Sequence, residues 1–287
     1  MRAVSLHRDV IVVTSQLFQA HCTIVRGPGE APDAEVLAID SPVLPEELEL
    51  LPALVQQAGF PPPRGLLATH ADFDHVLGPL AFPEAALGCS ESSAARLSAE
   101  PGAAQRMLRR FDEELHIERS RPLSLGSVQA LAVPGRCAIG GAELELHPAT
   151  GHTVDGMAIW IGWAGVLVAG DYLSAIELPV LGERKTAGGG GEPDDPGGAT
   201  EAAVGGAQSM LDAYLATLAR LRPLVEAAEH VVPGHGAAID RPTALRVLDE
   251  DLTYLHDLRE RGAQAALPQR RRSAVQRELH MQNVSRI

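Results

Sequence analysis

Apolar residues in this chain come in short, dense runs. Val10 to Thr14, Cys22 to Arg26, Glu35 to Ile39 and Leu66 to Thr69 are rich in β-branched and other strand-forming residues and are bounded by Gly, Pro or acidic turn residues, which predicts strands. Between them, Pro45 to Ala58 has Pro and Glu at its start, apolar residues at helical spacing and Gly59 directly after, which predicts a helix. Further helices are predicted over Ser90 to Ser98 and Ala103 to Leu115, and further strands over Glu143 to His147, Met157 to Trp163 and Val166 to Ala169. The second half turns helical, with Gln208 to Leu221 and Thr243 to Arg261 flanking a short strand at His230 to Val232. Strands, a helix, more strands and more helices in two comparable halves suit two packed sheets with helices on their outer faces, an α+β architecture.

Two segments break this pattern. Residues 182–200 (GERKTAGGGGEPDDPGGAT) hold too little apolar surface to order themselves and are expected to form a flexible loop, either a lid or a tolerated surface insertion. The last twenty residues collect Arg270, Arg271, Arg272, Arg277 and Arg286. Charge runs are usually solvated, so residues 1–262 read as a single domain and 263–287 as a basic C-terminal tail.

The 287 residues, 45% hydrophobic and 21% charged, describe a globular chain with enough apolar material for one large core. No apolar run reaches the roughly 20 residues needed to span a bilayer, and Val10 to Val13 is too short for a signal-peptide core, so no membrane association is expected. Cys22, Cys89 and Cys137 are odd in number, widely spaced and free of any Cys-x-x-Cys pair, which fits a cytoplasmic protein without disulfides or a thiolate metal site. A formal net charge of −13 argues against nucleic acid as a partner.

The chemistry concentrates after the apolar run Gly65 to Ala68, in Thr69-His70-Ala71-Asp72-Phe73-Asp74-His75. Four metal-competent side chains fall within six positions, on a loop leaving the carboxyl end of a predicted strand. Three later sites, Gly151-His152, Gly170-Asp171 and Gly234-His235, each place one further ligand type beside glycine at the end of an apolar run. Each is weak alone; the ordered set is not. Imidazoles and carboxylates without thiolates suit zinc, iron or manganese.

This ordered set resembles the signature motifs of the metallo-β-lactamase superfamily, beginning with Asp40 in Ile39-Asp40-Ser41-Pro42. The resemblance implies a four-layer αββα sandwich and two divalent metal ions, zinc first, with iron or manganese as alternatives. It implies His70, Asp72 and His152 on one ion, Asp74, His75 and His235 on the other, Asp171 bridging them, and Asp40 supporting the histidine cluster. The usual His-x-His-x-Asp-His motif is altered here, Asp72 replacing the middle histidine. A carboxylate there adds a negative charge and a harder donor, which shifts preference toward iron or manganese.

The expected activity is hydrolysis: a hydroxide shared by two ions attacks an ester-like bond in a lactone, thioester or phosphoester of a small molecule. Asp74 would orient that nucleophile and pass a proton on, and Tyr172 would donate a hydrogen bond to the developing oxyanion. A di-iron redox protein and a non-catalytic metal-binding module are the alternatives, and a homodimer is compatible with all three. The stretch between Asp171 and His235 is too short for the extra domain of the RNA-cleaving branch.

Overall fold

The apolar runs pair into two sheets in the computed structural model, which describes residues 1–28, 34–182 and 209–287. The first sheet is built in chain order from β1 (Arg2–His7), β2 (Val10–Thr14), β3 (His21–Arg26), β4 (Val36–Asp40), β5 (Gly65–Leu67), β6 (Ala86–Ser90) and β7 (Val128–Leu131). Its first four strands are antiparallel and β4 to β7 are parallel. The connections carry α1 (Pro45–Gln57), α2 (Gly78–Ala81), α3 (Glu91–Ala99) and α4 (Ala103–Leu115). The second sheet contains β8 (Gly135–Ile139), β9 (Ala142–Pro148), β10 (Met157–Ile161), β11 (Val166–Gly170), β12 (His230–Pro233) and β13 (Ile239–Asp240). Helices α5 (Met210–Ala227) and α6 (Arg241–Arg261) precede and follow β12 and β13, and α7 (Ala274–Val284) ends the chain.

Three buried clusters show why the strands are apolar on both faces. Val10, Val12, Ile39, Leu144, Ile159, Val166 and Val168 meet between the sheets. Ile11, Val13 and Ile24 face the other way, against Leu48, Leu51 and Val55 of α1. Leu167, Ala169 and Val231 pack on Leu218 and Leu221 of α5 and Leu248 and Leu255 of α6. The result is the four-layer helix, sheet, sheet, helix sandwich expected from the sequence.

Several elements differ from expectation. β1, β6, β7, β8 and the two-residue β13 are additional strands, half-exposed except for β6. Ser90, expected inside a helix, ends β6 and caps α3 by accepting the Ser93 N–H. The largest correction concerns the C-terminal segment: α7 packs against the body and the Arg271 side chain is wholly buried, whereas Arg270, Arg272 and Arg277 are exposed. Arg271 goes inside because carboxylates and carbonyls are waiting for it there, a pairing no local charge pattern reveals. The predicted flexible loop at 182–200 lies outside the described residues except for Gly182. Among the described residues no helix is long and apolar enough to cross a membrane.

Candidate metal centre

The carboxyl ends of β4, β5, β11 and β12 meet at one edge of the sandwich and supply Asp40, the His70 to His75 segment, Asp171 and His235. Backbone bonds weld the two sheets there, Met157 N–H donating to Thr69 O at 2.7 Å and His21 N–H to Gly234 O at 3.1 Å, while Gly234 N–H donates to Gly170 O at 2.7 Å within the second sheet. Asp40 adopts φ 56°, a left-handed conformation that costs a non-glycine residue about 1–3 kcal/mol. In return its carboxylate accepts the Thr69 N–H at 2.8 Å and hydroxyl at 2.9 Å, and Oδ2 lies 3.0 Å from His75 Nδ1.

Each histidine is oriented in the same sense. Nδ1 of His75 faces Asp40, that of His152 faces Val180 O at 3.1 Å, that of His235 faces Phe18 O at 3.2 Å, and that of His70 faces the Thr69 hydroxyl at 3.1 Å. All four Nε2 atoms therefore point inward. Asp171 Oδ2 sits 3.2 Å from His152 Nε2, 3.4 Å from His235 Nε2 and 3.9 Å from His70 Nε2, while Oδ1 sits 3.2 Å from His75 Nε2. Asp74 Oδ2 lies 3.4 Å from His235 Nε2 and 3.7 Å from His75 Nε2. Asp72 Oδ2 lies 3.5 Å from His70 Nε2 and 3.7 Å from His152 Nε2. The structure thus brings all seven sequence-predicted side chains together, in two adjoining groups that share Asp171.

The residues fit a pair of divalent cations. His70 Nε2, His75 Nε2 and Asp171 Oδ1 are buried without a hydrogen-bond partner, a costly condition that a bound ion relieves. The donors of His70, His152 and Asp171 lie within 4.8 Å of one another, as do those of Asp74, His75 and His235. Holding Nδ1 against an oxygen to aim Nε2 is the way proteins orient histidine ligands. Burial alone would lower the His152 and His235 pKa values, but the Asp171 carboxylate outweighs it, raising His152 to about 10 and His235 to about 9. Burial opposes ionisation of Asp171 as well, and His235, His75 and His152 hold it well below the usual carboxylate range.

Tyr172 is turned away from the role expected of it. Its ring is buried against Tyr214 at 4.4 Å between centroids, and its hydroxyl accepts the His152 backbone N–H at 3.0 Å. It fixes the His152 loop instead of facing substrate.

Three contributors escaped the sequence reading. His21 is buried with Nδ1 2.6 Å from Pro233 O, next to the turn that carries His235. Asp155 and Arg96 tie the His70 and His152 loops together; only the nearness of Asp155 to His152 hinted at it. Gly234, read as a source of turn flexibility, is required by space: a Cβ there would collide with Asp171 Oδ1.

A model of the metallo-β-lactamase superfamily matches residues 42–235, a span from just after Asp40 to the last ligand candidate. No curated protein matches the chain by sequence. Among solved structures, the fold is similar to a metallo-β-lactamase family protein from Thermus thermophilus, at 19% identity and TM-score 0.62, over 89% of this chain and 82% of that one. It is similar to a stereoselective inverting sec-alkylsulfatase from Pseudomonas sp., at 14% identity and TM-score 0.65, over 98% of this chain and 49% of the other. It is also similar to the protein TTHA1623 in a di-iron-bound form, at 21% identity and TM-score 0.51, over 82% of this chain and 97% of that one. The αββα sandwich, the converged histidines and carboxylates and the match across 42–235 together make this chain a member of the metallo-β-lactamase superfamily.

Proposed function

We propose that the protein is a dinuclear metal-dependent hydrolase that cleaves an ester-like bond, in a lactone, thioester or phosphoester, of a small cytoplasmic molecule. The observation that carries this reading is Asp171, whose two oxygens reach histidines of both groups. His70, Asp72 and His152 would hold one ion and Asp74, His75 and His235 the other, with zinc favoured and iron or manganese as alternatives. Two divalent ions, when bound, supply Lewis acidity for a substrate oxygen and bring the pKa of a water toward neutrality. The chain does the rest: Asp74 turns Oδ2 toward His75 and His235, leaving its other oxygen to orient the attacking water and carry its proton to the leaving group. The free cysteines Cys22, Cys89 and Cys137 agree with a reducing compartment.

A di-iron redox protein is the second reading, favoured by the oxygen donor that Asp72 brings and by the di-iron form of TTHA1623. Metal analysis of the purified chain, followed by a panel of lactone, thioester, phosphodiester and alkyl sulfate substrates, separates the two. Hydrolysis of one bond class by protein carrying two ions per chain is the expected result. Stoichiometric metal with no turnover, or iron with oxygen consumption, would overturn it.

A further inference from the structure

The carboxylate of Asp72, the one departure from the family motif, does not stand alone. Its Oδ1 accepts Arg96 Nη2 at 2.7 Å, and only Oδ2 faces His70 and His152. Arg96 projects from α3, and its other nitrogen, Nη1, donates to Asp155 Oδ1 at 3.1 Å. Asp155 is anchored in turn. Its side chain is fully buried, Oδ2 accepts the Ala71 N–H at 3.2 Å and the Ser93 hydroxyl at 3.0 Å, and its backbone oxygen accepts the Ser90 and Ser93 hydroxyls at 2.7 and 3.0 Å. A single guanidinium thus spans the loop that bears His70 and Asp72 and the loop that bears His152.

We propose that Arg96 is the positioning residue that makes Asp72 usable in place of histidine, by locking one carboxylate oxygen outward with a positive charge that it shares between Asp72 and Asp155. This rests on the metal-centre reading above. A free carboxylate at position 72 could swing or chelate through both oxygens; with Oδ1 held by Arg96, a single oxygen is presented, as a single imidazole nitrogen would be. The planar, two-ended guanidinium suits this, since a lysine ammonium cannot span Asp72 and Asp155 in the same way. The pair is one unit, so restoring the family histidine by itself does not restore the family site. Asp72→His leaves Arg96 aimed at a neutral imidazole and at the cation beyond it.

The test is a double-mutant cycle on the full chain, with zinc and manganese titrated against a chromogenic chelator. Arg96→Gln is expected to weaken one of two binding events roughly 10- to 100-fold, the usual cost of losing a partner that orients a ligand, and to leave the other within about twofold. Asp72→His is expected to weaken the same event, and Asp72→His with Arg96→Gln to bind zinc more tightly than Asp72→His alone. Arg96→Lys keeps the charge and supports the fold if Arg96→Gln unfolds; it should show an intermediate loss in the same event. Equal affinity in wild type, Arg96→Gln and Arg96→Lys, or independent losses in the cycle, overturns the proposal while leaving the metal centre intact. A wild-type chain that takes up neither metal overturns both.

Discussion

Two clusters of buried charge lie close together in this molecule, and they differ in what their atoms are left to do. At the mouth of the sandwich, His70 Nε2, His75 Nε2 and Asp171 Oδ1 converge without hydrogen-bond partners. Behind it, Arg271 spends Nη1 on Asp251 Oδ1 at 2.5 Å, Glu177 O at 2.8 Å and Ser174 O at 3.2 Å, and Nη2 on Glu250 Oε2 at 3.2 Å. Around it, Gln276 Oε1 accepts the Leu178 N–H, Asn283 Oδ1 accepts the Leu181 N–H, and Asn283 Nδ2 donates to Pro179 O. Both clusters are polar and buried, but the first aims three atoms without hydrogen-bond partners at one point, whereas the second spends its polar atoms on neighbouring carboxylates and backbone, with Arg271 Nε as its lone unsatisfied atom. Convergent unpaired atoms, not buried charge as such, mark a place for a ligand. The paired cluster serves the unpaired one, because it clamps the 174–181 segment whose Val180 carbonyl orients His152.

Removing the charge from each cluster should break the comparison in opposite ways. Arg271→Met strands Asp251 in the interior and is expected to cost about 3–5 kcal/mol of folding stability, read by denaturant unfolding. Burial already pushes Asp251 up to about 7 against the attraction of Arg271, so without the arginine the carboxyl keeps its proton at pH 5 and the loss is smaller there than at pH 8. Unfolding midpoints that match wild type at both pH values would show that Arg271 is dispensable. Asp171→Asn should behave in the other sense, with circular dichroism unchanged and affinity for both ions down by more than roughly a hundredfold, beyond the usual loss from an outer partner. Loss of only one ion would show that Asp171 does not bridge.

A pH series sharpens the contrast further. His152 and His235 are raised above the ordinary histidine value, so their ion pairs with Asp171 stabilise the metal-free chain fully below about pH 6.5. That contribution is lost as pH rises through about 9 and 10. The metal-free melting temperature should fall between pH 7 and 10, each group losing up to about 1.4 kcal/mol per pH unit inside its window. Metal uptake at pH 7 should release protons, since the ions displace those held by these imidazoles, and calorimetry in buffers of different ionisation enthalpy reads that release.

The same contrast explains what could be read from the chain beforehand. The convergence of the seven side chains is legible because His70, Asp72, Asp74 and His75 crowd one short loop and the remaining three follow glycines at strand ends. The sandwich was legible because strands buried on both faces are apolar throughout, as in Val10 to Val13 and Val166 to Ala169. Arg271 read as one member of a solvated run, because its partners Asp251 and Ser174 lie 20 and 97 residues away. Arg96 and Asp155 were silent for the same reason, 59 residues apart and meaningful only through each other. β1, β7 and β8 are half-exposed edge or near-edge strands whose mixed residues carry no clear period.

Tyr172 gives the smallest expected effect and the finest division between site and scaffold. It adjoins Asp171 in sequence, yet its hydroxyl accepts the His152 N–H and its ring packs with Tyr214 in the α5 core. By position it belongs to the site; by bonding it belongs to the scaffold. Tyr172→Phe leaves one buried N–H without its acceptor, so it should cost about 1–3 kcal/mol of stability and leave kcat within a few-fold of wild type. An oxyanion donor would behave differently, with kcat falling roughly 10²- to 10³-fold while stability barely moved. Measuring melting and turnover on the same preparation decides whether this residue serves the site or the scaffold, since each assignment predicts a large change in one quantity and a small change in the other.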